Sequence, residues 1–245
     1  MRFLLHPTHL RLADLLMLLL GAFVPGSGAP AYASHPPLPS APRVAPFLAP
    51  DGARVYGLSP RPVHLWQSNP APDAYANPRG CGAFSTAMAL SVYDPTHYGT
   101  YAAAQRLFTR MAQVPFFGGT FESQNAVVAG QAGFIALNHD HGTVDDLVTA
   151  VNLGAPVILL LNPNFLGIGQ HDVLLVGYRA GADGQVRDLL IDNPAQAAAT
   201  RSDAPAEPGN QMIAVEDLPR IWTGIFTPIF ASPAVATAWQ AQAGR

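Results

Sequence analysis

The chain has 245 residues, enough for one medium domain with a buried core or for one domain with an appendage. Hydrophobic residues make up 49% of it and charged residues 12%, and the formal net charge is −3. This composition lacks the excess of basic residues that is typical of a nucleic-acid-binding protein. The sequence also lacks a run of Lys or Arg that would indicate binding to an anionic membrane surface. We therefore expect partners that are recognised by shape and local chemistry. Nothing in the sequence indicates an oligomeric state.

The N-terminal 33 residues have the layout of a secretory signal peptide. Arg2 and Arg11 precede an apolar run over residues 15–24, and Ala31-Tyr-Ala33 is a small-residue cleavage pattern. The run is short for a membrane span, so we expect an exported protein, periplasmic or extracellular, with no stable membrane insertion after cleavage. The alternative is that this segment is retained as an anchor.

Residues 34–62 contain eight prolines and show no sustained helical or strand period. This composition predicts an extended leader or stalk. We expect a folded domain over residues 63–232 and a short C-terminal tail over residues 233–245. There is no internal repeat.

The first half of this domain is predicted to be helical. An Ala- and Leu-rich stretch without Gly or Pro follows Gly-Cys-Gly at positions 80–82, which predicts a helix from Cys81 or just after it. Apolar spacing and capping residues predict three more helices, over residues 101–111, 120–132 and 143–153. In the last of these, Thr143 is the predicted N-cap.

The second half changes to short strands, over residues 156–161, 171–178 and 186–191. The turn signal at Gly181 to Gly184 predicts that the second and third strands form an antiparallel hairpin. A short helix or turn over 215–222 and a last strand over 225–230 follow. Helices first and a mostly antiparallel sheet afterwards predict an α+β fold.

Cys81 is the only cysteine, and in an exported chain it has no disulfide partner within the molecule. At a helix N-terminus, free N–H groups and the helix dipole favour the reactive thiolate. The flanking Gly80 and Gly82 allow a substrate to approach closely. The pattern indicates a cysteine nucleophile, although free cysteine is more often a small buried hydrophobic residue.

His171 begins an apolar strand, so its imidazole should lie at the mouth of the sheet, where it can meet a thiol at a helix N-terminus. Its second ring nitrogen needs an orienting partner. The predicted hairpin returns Asp192 and Asn193 to its side. A shift of one residue exchanges the two, because alternate strand residues face opposite ways.

These motifs, taken together and in order, resemble the papain-like cysteine peptidases, and most of all the branch of bacteriocin-processing, double-glycine peptidases. The resemblance spans about residues 63–230. The motifs that carry it are Arg79-Gly-Cys-Gly-Ala-Phe-Ser-Thr-Ala-Met-Ala-Leu90, Gly154-Ala-Pro-Val-Ile-Leu-Leu-Leu161, His171-Asp-Val-Leu-Leu-Val-Gly-Tyr178, Ile191-Asp-Asn-Pro194 and Val215-Glu-Asp-Leu-Pro-Arg-Ile-Trp222. Ala83 stands where that branch has proline.

The resemblance implies a papain-like fold, a peptide or amide substrate, and no cofactor. It implies Cys81 as nucleophile and His171 as base. Alignment on Pro194 favours Asn193 over Asp192 as the third member, where the relatives carry Asp. It also implies a glutamine that helps to stabilise the oxyanion, for which Gln67 has the right type but lies farther upstream than usual. The segment between Gln67 and Gly80 would then be an inserted loop.

Two alternatives stay open. His139-Asp140-His141 contains residue types that bind metals. No further ligand stands at a spacing typical of a metal site, so we expect a solvated loop. The chain could also be a non-catalytic binding or surface module that keeps the fold without the turnover.

Overall fold

The computed structural model describes residues 43–243, apart from residues 50, 70–75, 115–118, 166, 168 and 197–208. The predicted signal peptide and the first part of the predicted leader lie outside the described residues. Within the described ranges, no helix has both the length and the apolar character that a membrane crossing requires.

The helices of the described residues are mostly short, and each has a sequence-based reason for its ends. Thr143 caps the fifth helix in a capping box with Asp146, and Gly133 and Gly154 take positive φ after the fourth and fifth helices. The helices are α1 (Cys81–Ser91), α2 (Pro95–Tyr98), α3 (Tyr101–Arg110), α4 (Gln124–Gln131), α5 (Val144–Asn152), α6 (Leu218–Ile221) and α7 (Pro233–Gln240).

All strand pairings among the described residues are antiparallel. The strands are β1 (Arg43–Leu48), β2 (Arg54–Ser59), β3 (Ile135–Ala136), β4 (Val157–Leu161), β5 (His171–Ala180), β6 (Val186–Asp192), β7 (Gln211–Ala214) and β8 (Trp222–Phe230). On one side β5 pairs with β4 over its first half and with β2 over its second half, and on the other side it pairs with β6. The strand that begins with His171 is therefore held on both edges.

The two faces of β5 contribute to two hydrophobic clusters. Leu174 and Val176 belong to a cluster with α1, α3 and α4, whereas Val173 and Leu175 belong to a second cluster with α5 and α7. Nearly every residue of α1 is buried. Because α1 is packed along its whole length, its N-terminus is held firmly against the start of β5.

The α+β class predicted from the sequence is confirmed, with Cys81 at the start of a helix that packs on an antiparallel sheet. The predicted helices and strands are found within a few residues of their expected ends, and β5 and β6 form the predicted hairpin. Thr143 is the N-cap of α5, as predicted.

The structure differs from the expectation of a leader over residues 34–62, because β1 and β2 lie in this segment and join the main sheet. The prolines obscured the strand pattern. Pro46 lies in β1, an edge strand where a missing N–H donor is tolerated. In β2, Val55 is buried, and Tyr56 stacks on Tyr178 of β5. The expected C-terminal tail likewise contains α7, whose Trp239 is fully buried.

Candidate active site

Cys81 is the first residue of α1 and lines a cavity of about 570 Å³ together with His171. The walls of this cavity come from the start of α1, the segment Thr120 to Glu122 before α4, and the start of β5. Cys81 is half-buried and is a free thiol. The structure therefore brings the predicted nucleophile and the predicted base to one cavity.

His171 is held in a defined tautomer. Its Nε2 lies 2.8 Å from Oδ1 of Asn193, which also accepts a hydrogen bond of 2.9 Å from the backbone N–H of Ala195. An amide oxygen only accepts, so Nε2 of His171 carries the proton and donates it. Nδ1 is left as the basic nitrogen of the ring.

Asn193 is itself held by hydrogen bonds to two residues at the start of β7. Its backbone N–H donates to Oδ1 of Asn210 (2.8 Å), and its backbone C=O accepts from Nδ2 of Asn210 (3.1 Å). Its side-chain Nδ2 donates to Oε1 of Gln211 (2.8 Å). Gly209, which precedes Asn210, has a φ of 83°, in the left-handed region that favours glycine. Sequence reasoning missed Asn210 and Gln211, which only the pairing of β6 with β7 brings to this place.

Asp192 points away from His171. Its carboxylate lies 3.6 Å from Nδ1 of His64, on the other face of β6. This follows from the alternation of side chains along a strand. Of the two candidates that the sequence left open, Asn193 is the one that contacts the imidazole.

Gln67 is buried next to the site, but it is not part of the cavity wall. Its Nε2 donates to the backbone oxygen of Pro78 (2.9 Å), and its backbone oxygen accepts from the N–H of Asn77 (2.7 Å). Asn77 and Pro78 thus lie beside Gln67, as the two ends of an inserted loop would. The role of Gln67 as an oxyanion donor stays a prediction.

The surroundings of Cys81 correct the expectation of a stabilised thiolate. Burial, followed by the negative charge of Asp172, raises the pKa of the Cys81 thiol to about 12, although backbone N–H groups of Asp172, Gly82 and Cys81 act in the opposite direction. The helix N-terminus is present, but desolvation and a neighbouring carboxylate outweigh it. The thiol is neutral at rest.

The imidazole is neutral as well, because burial lowers the pKa of His171 more than its hydrogen bond to Asn193 raises it. Two neutral partners are the protonation states from which a general base removes a proton during attack.

Two carboxyl groups in the cavity wall, Glu122 and Asp172, were missed by sequence reasoning. A signal for one of them was available, since Asp172 is an acidic residue within an otherwise apolar strand. Glu122 lies in a loop that is far from Cys81 and His171 in the sequence and is brought to the site by the fold.

The histidine pair at 139 and 141 forms no metal centre with its neighbours. The His139 ring lies 5.1 Å from that of Phe226, and His141 is exposed with a φ of 57°. Within the described part of the chain, no group of three or more His, Cys, Asp or Glu residues is arranged to hold a metal ion.

No protein-family model matches the sequence, and no curated protein matches it either. The fold is similar to that of a protein assigned as a C39-like peptidase from Bacillus anthracis (16% identity, 68% of this chain and 94% of the other, TM-score 0.48). It is also similar to the peptidase domain of Streptococcus ComA, a bifunctional ABC transporter of a quorum-sensing pathway (16% identity, 69% and 98%, TM-score 0.40). A third similar structure is UfSP from C. elegans (10% identity, 82% of this chain and 35% of the other, TM-score 0.42).

The first two of these structures are described as peptidases.

Proposed function

We propose that this protein is a cysteine peptidase or amidase that works by acyl transfer to Cys81. One observation carries the proposal: His171 is fixed by Asn193 with Nδ1 as its basic nitrogen, and it lines the same cavity as a free thiol at a helix start. A nucleophile, a base and an orienting group on three separate elements are the minimum set for thiol acyl transfer.

In the first half of the reaction, Nδ1 of His171 takes the proton of the Cys81 thiol while the sulfur attacks the substrate carbonyl. The C–S bond forms, and the carbonyl electrons move to the oxygen. The backbone N–H of Cys81, at the start of α1, stabilises this oxyanion. His171 then gives the proton to the leaving amine, the C–N bond breaks, and a thioester remains on Cys81.

In the second half, His171 takes a proton from water, which attacks the thioester. The acid product leaves, and the proton returns to the sulfur. Asn193 keeps the imidazole in one orientation throughout. The same steps serve a peptidase or an amidase, and a transpeptidase differs only in that an amine replaces water in the second half and a new amide leaves in place of the acid.

We also propose that the enzyme acts outside the cytoplasm. The support is the signal-like layout of residues 1–33.

The test combines a peptide library with labelling by iodoacetamide and by an epoxide inhibitor. The native protein should hydrolyse members of the library, and mass spectrometry should find the label on Cys81. Cys81→Ser should lose the label and at least about 99% of the hydrolysis, while circular dichroism shows the native fold. Labelled but inactive protein, or an unreactive Cys81, contradicts the proposal.

A second function, a non-catalytic binding module, is favoured by one observation, the neutral resting thiol of Cys81. Such a module would bind the same library peptides without cleaving them, and Cys81→Ser would bind as well as the native protein. Hydrolysis that depends on Cys81 excludes it.

A further inference from the structure

The cavity wall holds two carboxyl groups that the proposed chemistry does not use. Asp172 follows His171 in β5 and is only 2% exposed. Glu122 belongs to the segment before α4. Both line the cavity that Cys81 and His171 share, so both face any substrate that reaches the thiol.

The carboxyl of Asp172 has a side-chain hydrogen bond with Asn125, but one of its oxygens lacks the partner that a buried acid normally has. Its Oδ1 is buried and makes no hydrogen bond, and the hydroxyl of Thr120, another lining residue, is likewise without a partner. A buried carboxylate oxygen with no donor is costly, and such groups are usually paired with a cation or a hydrogen-bond donor. The unfilled position points to a donor that arrives with a ligand.

The second carboxyl strengthens the negative character of the wall. Glu122 accepts a hydrogen bond of 2.7 Å from Oγ1 of Thr227. Burial and the charge of Glu122 raise the pKa of Asp172, and burial raises the pKa of Glu122, so both carboxyl groups resist ionisation without a counter-ion.

The protein itself supplies little positive charge to offset the two carboxyl groups. Of the described residues that line the cavity, Arg79 alone has a basic side chain apart from the imidazole, and it is exposed. No ion pair between described residues joins Arg79 to Glu122 or Asp172.

We propose that Asp172 and Glu122 form the specificity site of this protein and bind an ammonium or guanidinium group of the substrate beside the bond that Cys81 attacks. The substrate class is therefore a peptide or amide with a basic group close to the scissile bond. This inference rests on the proposed function for its catalytic meaning, whereas the cation site itself is testable without turnover.

A cation at this site also acts on the nucleophile. The charge of Asp172 is one of the causes that raise the pKa of Cys81, so a substrate cation that offsets this charge makes the thiol easier to ionise. A substrate with the basic group then reacts faster as well as binding more tightly, because the cation is in place when the sulfur attacks.

The charge of the site is measured with three small thiol reagents of nearly the same size, which are the aminoethyl, hydroxyethyl and sulfonatoethyl methanethiosulfonates. Each forms a mixed disulfide with Cys81 and releases methanesulfinate. The thiolate fraction is common to all three, so the ratio of their rates reports the local charge once each rate is divided by that of the same reagent with a small free thiol. In native protein we expect the cationic reagent to react about tenfold faster than the neutral one, and the anionic reagent more slowly.

Two isosteric variants identify the groups responsible. Asp172→Asn and Glu122→Gln should each bring the ratio of the cationic to the neutral rate towards one. Glu216→Gln removes an exposed carboxyl outside the cavity wall and should leave the ratio unchanged. A native ratio near one, or a ratio that neither cavity variant lowers, overturns the proposal.

A binding measurement keeps the test decisive if Cys81 reacts with none of the reagents, a result that contradicts the proposed function. N-acetyl-lysine amide and its uncharged match N-acetyl-norleucine amide are titrated into the native protein, and the amide signals of Cys81, Gly82 and Asp172 are followed by NMR. The lysine compound should bind at least about tenfold more tightly, and Asp172→Asn should abolish the difference. Equal binding of the two compounds overturns the cation site.

Discussion

At the scale of single residues, opposing influences act on the sulfur of Cys81. Backbone N–H groups at the start of α1 favour the thiolate, whereas burial and the charge of Asp172 disfavour it, and the pKa rises to about 12. A preformed thiolate–imidazolium pair would react equally fast across neutral pH. In the proposed mechanism, His171 instead removes the proton during the attack.

The rate at which iodoacetamide alkylates Cys81 in the free protein should therefore increase steadily from pH 7 to pH 10, because the thiolate fraction grows about tenfold per pH unit below the pKa. Stopped-time labelling with mass spectrometry measures this rate. A plateau that begins near neutral pH would show that the resting thiol is already ionised.

Asn193 offers a second test at this scale, with Asp192 as its matched neighbour. Asn193→Ala removes the acceptor for Nε2–H of His171, so kcat should fall about 100-fold with a smaller change in KM. Asp192→Asn changes a side chain that faces His64, and kcat should fall by less than about threefold. The reverse order of the two effects would assign the orienting role to Asp192.

At the scale of elements, the approach of α1 to the rest of the site depends on Gly82. A Cβ at this position would lie 2.6 Å from Oγ1 of Thr120, 2.9 Å from Oδ2 of Asp172 and 3.0 Å from Oδ1 of Asn125. Contacts this short force α1 or the opposing segment to move. Because Cys81 is the preceding residue, such a movement displaces the nucleophile.

Gly82→Ala should therefore destabilise the protein by about 1–3 kcal/mol and lower kcat/KM more than tenfold. Gly130→Ala is the control, since Gly130 lies in α4 with nothing within 4 Å of an added Cβ. That substitution should stabilise the protein by about 0.5–1 kcal/mol and leave activity unchanged. Urea unfolding and hydrolysis assays measure both, and equal effects of the two substitutions would contradict this account of the packing.

Local signals predicted most of the elements from the sequence. The Thr143 cap, the glycine after α5 and the turn from Gly181 to Gly184 are short-range features, and each was found where the sequence placed it. The strands β1 and β2 were missed because they are stabilised by pairing with β5, far away in the sequence, and prolines hide their pattern.

The same distinction applies to the candidate site. Cys81 and His171 stand in recognisable local motifs, so the sequence alone could predict that they share a site, and both line one cavity. The choice between Asn193 and Asp192 depends on strand register, which a one-residue shift reverses. Glu122, Thr120 and Asn210 reach the site through loops, and no local pattern marks them.

At the scale of the whole molecule, the buried carboxyl of Asp172 makes folding stability depend on pH. Its pKa rises from 3.8 to about 7 in the folded state, so the folded protein holds this proton more tightly than the unfolded chain. The stabilisation is fully present below pH 3.8 and is lost as pH rises through about 7. Glu122, whose pKa burial also raises, acts in the same direction.

Urea unfolding of native protein and Asp172→Asn between pH 4 and pH 8 tests this. Relative to the variant, the native protein should lose stability as the pH increases. Only the native protein has a carboxyl group at this position, and its ionisation in the buried site is unfavourable. His171, whose pKa burial lowers, titrates in both proteins and cancels in the difference. Parallel stability profiles would contradict the prediction.

The pairing of β2 with the second half of β5 has a consequence for how the chain folds. The partners are well over a hundred residues apart, so β2 is synthesised long before the strand that it needs. Contacts between such distant residues form late and slow the folding reaction. Until then, the hydrogen-bonding edge of β2 is open to other chains, which favours aggregation. The strand that begins with His171 thus has all its hydrogen-bonded neighbours only after it has paired with β2, near the start of the described chain, and with β6, which follows it.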